Sequence, residues 1–230
     1  MPSTVQKLFA DVPSTYERIN HLLTWNFDRL WRKKAVQWAI GGGGARWVDV
    51  CSGTGETAAA LARLAPQGTT VLALDFSLPM LGEIDKKPEA GRLLRVGANV
   101  RALPMADNSI DLITLSFGTR NINTSRPALI QAFREFHRVL KPGGRFVNVE
   151  TSQPRNRLIR WGFHRYIAVA VKPLGAAVSG SKAAYAYLSH TIPRWYHAEE
   201  LNTLLLEAGF TKVNHQPLLF GVAAIHHAVK

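Results

Sequence analysis

Val48-Asp49-Val50-Cys51-Ser52-Gly53-Thr54-Gly55-Glu56 reads as an apolar strand running into a glycine turn, and the alanine-rich stretch ETAAALARLA at 56–65 continues it as a helix. Glycine suits the turn because the backbone must reverse sharply and present its N–H groups to a ligand at the positive end of a helix. Twenty residues beyond Gly55, at the end of the next apolar run TVLALD, stands Asp75, from where a carboxylate accepts hydrogen bonds from ribose hydroxyls. A lone Gly-x-Gly is more often an ordinary tight loop. Strand, loop, helix, second strand and terminal carboxylate in that order specify a nucleoside ligand instead.

Gly53-x-Gly55-x-x-Ala58 also fits a dinucleotide fingerprint, but Asp49 argues against it. An acid inside the strand opposes a pyrophosphate at the turn and suits an ammonium or sulfonium group. S-adenosylmethionine carries both cations, a carboxylate for the helix N-terminus and a ribose for Asp75, and it has no phosphate. If the sheet is doubly wound, further strand ends complete the pocket: Asn99 and Val100 toward an adenine edge, and Ser116. LKPGGRF at 140–146 is a helix stop and a turn into a strand, which is structural.

Outward from this centre, the runs WVDVC, TVLALDF, LLRVGANV, IDLITLSF and RFVNVET alternate with helical stretches, the mark of βαβ units and a parallel sheet. Residues 1–44 read helical: Ser14 and Glu17 have capping-box spacing, and Asp28 is placed to cap RLWRKKAVQWAI before Gly41–Gly44 stop it. Residues 152–198 form a mostly helical insertion, and 199–230 return to a helix and paired strands. The chain has 230 residues, 47% hydrophobic and 19% charged, enough to bury one core. Its 28 Lys+Arg against 16 Asp+Glu give +12, which favours a polyanion or an anionic membrane surface. One cysteine, Cys51, excludes a disulfide framework and a multi-thiolate zinc site. The opening MPSTVQKLFADVPSTYERIN lacks a secretory h-region, and no stretch reaches the length of an apolar spanning helix; the expectation is a cytoplasmic, peripherally membrane-associated protein.

VQKLFADVPSTYERINHLLTWNFDRLWRKKAV, DVCSGTGE, LDFSLPML, ALPMADNSIDLITLSFGTRN, HRVLKPGGRF, ETSQP, YAYLSHTI and GVAAIHHAVK together resemble the ubiquinone/menaquinone biosynthesis C-methyltransferases, over nearly the whole chain. The resemblance implies a seven-stranded Rossmann-like α/β sheet, mostly parallel with its last strand antiparallel, in a single domain. Residues 1–44 would be a helical lid, 45–151 the cofactor core, 152–198 a substrate or membrane insertion and 199–230 the final helix and strands. It implies S-adenosyl-L-methionine as donor, held by Asp49, Gly53, Thr54, Gly55, Asp75, Phe76, Asn99, Val100 and Ser116, and a prenylated quinol as acceptor. The substrate-side motif falls on Phe117, Gly118, Arg120 and Asn121. Glu17, Ala58, Thr119, His190 and Phe220 depart from the family's usual Asp, Thr, Leu, Glu and Gly. These departures leave benzoquinol and naphthoquinol acceptors both open.

Methyl transfer to a ring carbon requires the acceptor hydroxyl, with a phenolic pKa of about 10, to lose its proton, so the site needs a base and an oxyanion stabiliser. Arg120 is assigned the stabiliser and Asn121 the fixing of a water or the quinol oxygen; Tyr16, Tyr185, Tyr187 and His190 are candidates to position the ring or relay the proton, His190 being as readily a structural histidine. The other seven histidines show no metal-ligand spacing with carboxylates, and no metal is expected. The stretch from Thr151 to Ala198 holds Arg155, Arg157, Arg160, Arg165, Lys172, Lys182 and Arg194 and no acid. At 100° per residue Ile159, Phe163, Tyr166 and Ala170 share one face, with Arg157, Arg160, His164 and Arg165 largely opposite, as in a basic amphipathic helix lying on an anionic bilayer. Two rivals remain: an RNA methyltransferase, which has charge in its favour but no recognisable RNA-binding signature, and a non-catalytic cofactor-binding assembly protein, against which SFGTRN counts. No nucleic-acid partner is expected, and the sequence leaves a homodimer open.

Overall fold

A computed structural model describes residues 13–171 and 182–230. Its seven-stranded sheet comprises β1 (Arg46–Val50), β2 (Thr70–Asp75), β3 (Leu93–Gly97), β4 (Ile110–Ser116), β5 (Leu140–Thr151), β6 (Thr211–Leu218) and β7 (Ala223–Val229) in the order β3-β2-β1-β4-β5-β7-β6. The pairs from β3 through β5 are parallel, while β7 runs antiparallel to both β5 and β6, so the last strand is the reversed one. The strand order turns back between β1 and β4, and a crevice opens there beyond the strand ends.

Side chains on a strand point alternately to its two faces, and each face here buries its own core. Val48, Val50, Ile113 and Leu115 meet Phe133 and Phe136 of α6 (Arg126–Val139) and Leu201, Leu204 and Leu205 of α9 (Ala198–Glu207). Trp47, Val71, Ala73 and Leu112 meet Val36 and Ala39 of α2 (Phe27–Ile40) and Ala58, Leu61 and Ala62 of α3 (Glu56–Leu64). Asp49 shares parity with Trp47, so its carboxylate enters the α2/α3 layer. α6 starts cleanly because Ser125 accepts the Ala128 N–H and Pro127 occupies the first turn.

Above the sheet edge, α1 (Pro13–Leu23) meets the insertion, built from α7 (Arg157–Tyr166), a π-turn at Ile167–Val171 and α8 (Lys182–Thr191). Ile19 and Leu23 pack on Ile167, Val171 and Ile192, and the Tyr166 hydroxyl donates to the Leu23 carbonyl at 2.6 Å. The two capping expectations fail. α1 begins at Pro13, which places Ser14 inside the first turn, and Glu17 reaches away to Lys87 at 2.9 Å. Asn26, with φ +61°, precedes α2, and Asp28 lies in its first turn with its carboxylate held by Thr24 and His21.

The inward face of α7 is as expected for Ile159, Phe163 and Tyr166, but the opposite face is not simply basic. Arg160 donates to the Pro154 carbonyl at 3.1 Å and His164 pairs with Gln153 at 2.8 Å, so both are turned toward the protein. The exposed face carries Arg157, Leu158, Trp161 and Arg165. Past Tyr166 the π-turn shifts the register, and Ile167 and Val171 become the buried pair. Lys172 lies outside the described residues, as do the side chains of Tyr16 and Tyr185.

Candidate functional site

Beyond β1 and β4 two cavities lie side by side. The first is a polar cleft lined by Cys51, Ser52, Gly53, Thr54, Glu56, Asp75, Phe76, Ser77, Ser116, Gly118 and Asn121, among others. The turn after β1 folds this way because Gly53 and Gly55 take φ of +55° and +81°, and a Cβ on Gly55 would stand 2.5 Å from Ile84 Cγ1. The turn aims the Gly53 N–H at Asp75, which accepts it at 2.8 Å and the Ser77 N–H at the same distance. Burial pushes the Asp75 carboxyl above its ordinary range despite these backbone bonds. Cys51 and Phe117, at the ends of β1 and β4, are held in the left-handed region at φ +52° and +58°, and such strain gathers at functional sites.

Asp49 does not line the cleft. It is buried behind the turn, where Thr114 and Ser52 hydroxyls donate to its two oxygens at 2.7 Å each. Burial pushes its pKa up to about 6, against the pull of those hydroxyls and of Arg32. Asn99 and Val100 stand outside the lining too: the Asn99 side-chain oxygen accepts the Arg101 N–H in a turn, and Val100 packs into the core. Gly55 shapes the turn as the N-cap of α3 rather than facing the cavity. Gly53, Thr54, Asp75, Phe76 and Ser116 line the cleft.

Two buried polar atoms of the cleft residues, Ser77 Oγ and Asn121 Oδ1, have no partner among the described residues. Buried polar groups are ordinarily satisfied, so both are set for a hydrogen-bonding ligand. The cleft residues fit S-adenosylmethionine: Asp75 for the ribose hydroxyls, the Gly53–Gly55 turn for the carboxylate, and the Asp49 field behind it for the cationic end.

The second cavity is an apolar chamber of about 290 Å³, at the small end of the range of about 300–1,000 Å³ usual for ligand sites. Leu23, Phe27 and Trp31 from the N-terminal helices, Phe163, Ile167 and Val171 from the insertion, and Leu219 and Val222 from the β6–β7 turn close it. Arg120 enters from the strand side. Its guanidinium donates to Thr191 at 2.7 Å and lies over the Tyr187 ring at 5.9 Å, its backbone N–H is held by the buried Glu150 at 3.1 Å, and its buried Nε has no partner among the described residues. Burial raises the Tyr187 phenol above its usual pKa, with Arg120 opposing the rise.

Arg120 and Asn121 therefore divide. They are consecutive in the short helix α5 (Thr119–Ile122), so their side chains diverge, Arg120 into the chamber and Asn121 into the cleft. Phe117 and Arg32 line both cavities, with the Arg32 guanidinium 4.9 Å from the Phe117 ring centroid. His190 is exposed and pairs with Arg194 at 3.2 Å, away from either cavity.

The sequence reading missed Arg32 and the group around His21. His21 Nδ1 stands 2.8 Å from Asp28 and Nε2 stands 3.2 Å from Glu56, while Arg32 Nε is 3.4 Å from Glu56 and 3.8 Å from Asp28. Glu17, His21 and Glu56 also bring ligand atoms within 4.8 Å of one another, which corrects the reading that the histidines other than His190 show no metal-ligand spacing with carboxylates. Lys87 on Glu17 and Arg32 beside Glu56 already balance those acids. Glu17 is pushed up by burial, yet the Thr54 and Lys87 hydrogen bonds outweigh this and hold it below the usual range. A basic residue every few positions in RLWRKKAV was the only local sign of Arg32.

The ubiE/COQ5 methyltransferase family model matches residues 2–230. A demethylmenaquinone methyltransferase of Clavibacter sepedonicus is 39% identical over 231 residues, covering 100% of this chain and 91% of the relative. A ubiquinone/menaquinone biosynthesis C-methyltransferase of Geobacter sulfurreducens is 33% identical over 230 residues, 98% of this chain and 88% of the relative. Among solved structures, a SAM-dependent methyltransferase of Thermotoga maritima superposes with a TM-score of 0.67 at 18% identity, covering 98% of this chain and 99% of that one; it shares the fold.

Proposed function

The chain belongs to the ubiE/COQ5 methyltransferase family, and on that premise we propose that it methylates a ring carbon of a prenylated quinol, a demethylmenaquinol or a related ubiquinone precursor, in respiratory quinone biosynthesis. It is an S-adenosylmethionine-dependent methyltransferase. The observation that carries the acceptor class is the pairing of a polar, acid-lined cleft with an apolar chamber across the shared wall of Phe117 and Arg32.

Bound S-adenosylmethionine supplies an electrophilic methyl group on a positively charged sulfur. The chain's residues do the rest. Asp75, Ser77 and Asn121 hold polar atoms on the cleft side. The wall of Leu23, Trp31, Phe163 and Ile167 excludes water and orients a flat ring. The Arg120 Nε, without a partner among the described residues, is a preorganised donor for negative charge on a ring oxygen, which pushes electron density into the ring carbon. Tyr187 and Thr191 hold the guanidinium in place.

The acceptor reaches the chamber from an anionic membrane. Trp25 and Leu219 both line the chamber and are exposed, 76% and 42%, marking its mouth. Beside them Phe220 is 77% exposed with φ +57°, a conformation that suits the Gly usual at this position in the family; a strained, exposed aromatic ring is better explained by a lipid surface than by water. Leu158 and Trp161, flanked by Arg157 and Arg165, extend the same kind of surface along α7. Among the described residues no helix is long and apolar enough to cross a membrane.

The test is mass spectrometry of quinones after adding protein and S-adenosylmethionine to lipid extracts lacking the ring methyl. A gain of 14 mass units on the quinone ring, on the order expected for one added CH₂, is the expected result. Methylation of added RNA with the quinones unchanged overturns the reading.

A further inference from the structure

We propose that Asp28, backed by His21, takes the hydroxyl proton of the acceptor ring; this rests on the quinol reading above. Asp28 is 2% exposed and is the one carboxylate lining the chamber among the described residues. An acid so placed must be held by donors, and it is: Thr24 Oγ1 donates to one oxygen at 2.6 Å, and His21 Nδ1 lies 2.8 Å from the other. The far nitrogen of His21 faces Glu56 at 3.2 Å, on the rim of the cleft and partly exposed. Asp28, His21 and Glu56 thus form a line from the dry chamber to the wetter side of the protein. Arg120, whose Nε has no partner among the described residues, stands in the same chamber, and with Arg32 it is one of the two basic side chains among the described residues that line it.

The proton balance is simple. The ring O–H bond breaks, its proton goes to a carboxylate oxygen of Asp28, and the electron pair stays on the ring oxygen opposite the Arg120 donor. The proton on Asp28 passes by way of His21 to Glu56 and solvent. Once the ring carbon has gained its methyl group, its own hydrogen moves to the oxygen as the ring regains aromaticity, so one proton leaves per turnover. Asp28 is the catalytic residue in this scheme, and His21 and Glu56 are positioning residues that carry the proton away.

A purely structural Asp28, tying the turn between α1 and α2, would also be damaged by substitution, so the readout must depend on acceptor acidity. Asp28→Asn keeps the side-chain shape but cannot take a proton. Turnover of wild type and variant is compared on a soluble short-chain 1,4-naphthoquinol and on its ring-halogenated analogue, whose hydroxyls are more acidic. General-base assistance is worth about 10²–10⁴-fold, so the variant should lose roughly a hundredfold or more on the parent quinol. The wild-type-to-variant ratio should shrink about tenfold or more on the halogenated one. His21→Gln should show the same trend at smaller amplitude, and it decides the matter if Asp28→Asn does not fold. S-adenosylhomocysteine binding by calorimetry, unchanged within about twofold, certifies an intact cleft. Equal losses on both acceptors, or no loss, overturn the proposal while leaving the quinol reading intact. If wild type methylates neither this quinol nor its benzoquinol counterpart, both fall.

Discussion

The polar cleft and the apolar chamber share a wall of two residues yet are built in opposite ways. The cleft comes from consecutive strand ends and the turns after them, so its residues sit in short local motifs, and its polar atoms are fixed by backbone bonds such as Gly53 to Asp75. The chamber is closed by side chains from α1, α2, the insertion and the β6–β7 turn, with few polar groups and almost no backbone scaffold of its own. The sheet can therefore hold the polar cleft rigid, while the apolar chamber depends on how the N-terminal helices and the insertion meet.

The sharpest way to break this division is Arg120→Ala. It should lower methylation by about 10²–10³-fold, as removal of one oxyanion donor does, while S-adenosylhomocysteine affinity stays within about twofold; a matching loss of affinity would mean the cavities are not separate. Asp75→Ala is the mirror experiment. Removing hydrogen bonds to a charged acceptor should weaken cofactor binding by roughly ten- to a hundredfold, read by calorimetry, with the acceptor KM little changed.

Next in size is pH. Asp49 titrates at about 6 when folded against an ordinary 3.8, so its charged form is the one that favours a cationic donor. S-adenosylmethionine affinity should fall several-fold as pH drops from 7 to 5, more steeply than in Asp49→Asn, whose pH dependence should flatten. For the unliganded protein the sign reverses: a raised folded pKa contributes stability that is present below pH 3.8 and lost as pH rises through about 6, so Asp49→Asn should gain Tm relative to wild type at pH 8 more than at pH 4. His226 works oppositely. Burial lowers it from 6.5 to about 3, so its contribution is lost as pH falls below 6.5 toward 3.

The smallest expected effect lies at the chamber mouth. Phe220→Gly should relieve left-handed strain and raise stability by roughly 0.5–1 kcal/mol, part of the gain being offset by glycine's greater chain entropy. The same change should lower binding to anionic vesicles several-fold in a flotation assay. A variant that is more stable and binds vesicles as well as before would remove the membrane role of this turn.

Much of the cofactor side was legible because strand parity and glycine conformation are local properties. Gly53, Asp75 and Ser116 were read that way, Thr54 and Phe76 from the family resemblance, and all five line the cleft. Asp49 was found but set in the lining, because pattern alone cannot tell a carboxylate facing the ligand from one buried a layer behind it and bonded to Thr114, a residue on another strand. Arg120 and Asn121 read as one catalytic unit in SFGTRN, and only the turn of α5 sends them to different cavities. His21, Asp28 and Glu56 gave no sign, since seven residues separate the first two and Glu56 begins a helix on the far side of β1.

The sequence by itself determined the alternating strands and helices of a parallel sheet and a glycine turn with strand-end acids suited to a nucleoside, because alternation, turn residues and strand-end acids act over a few residues; the reversed last strand came from the family resemblance alone. Tertiary structure decided where the apolar chamber lies, which acid faces it and which aromatic side chains stand exposed at its mouth, because those contacts join segments far apart in the chain and are fixed only when N-terminal helices, insertion and sheet are packed together.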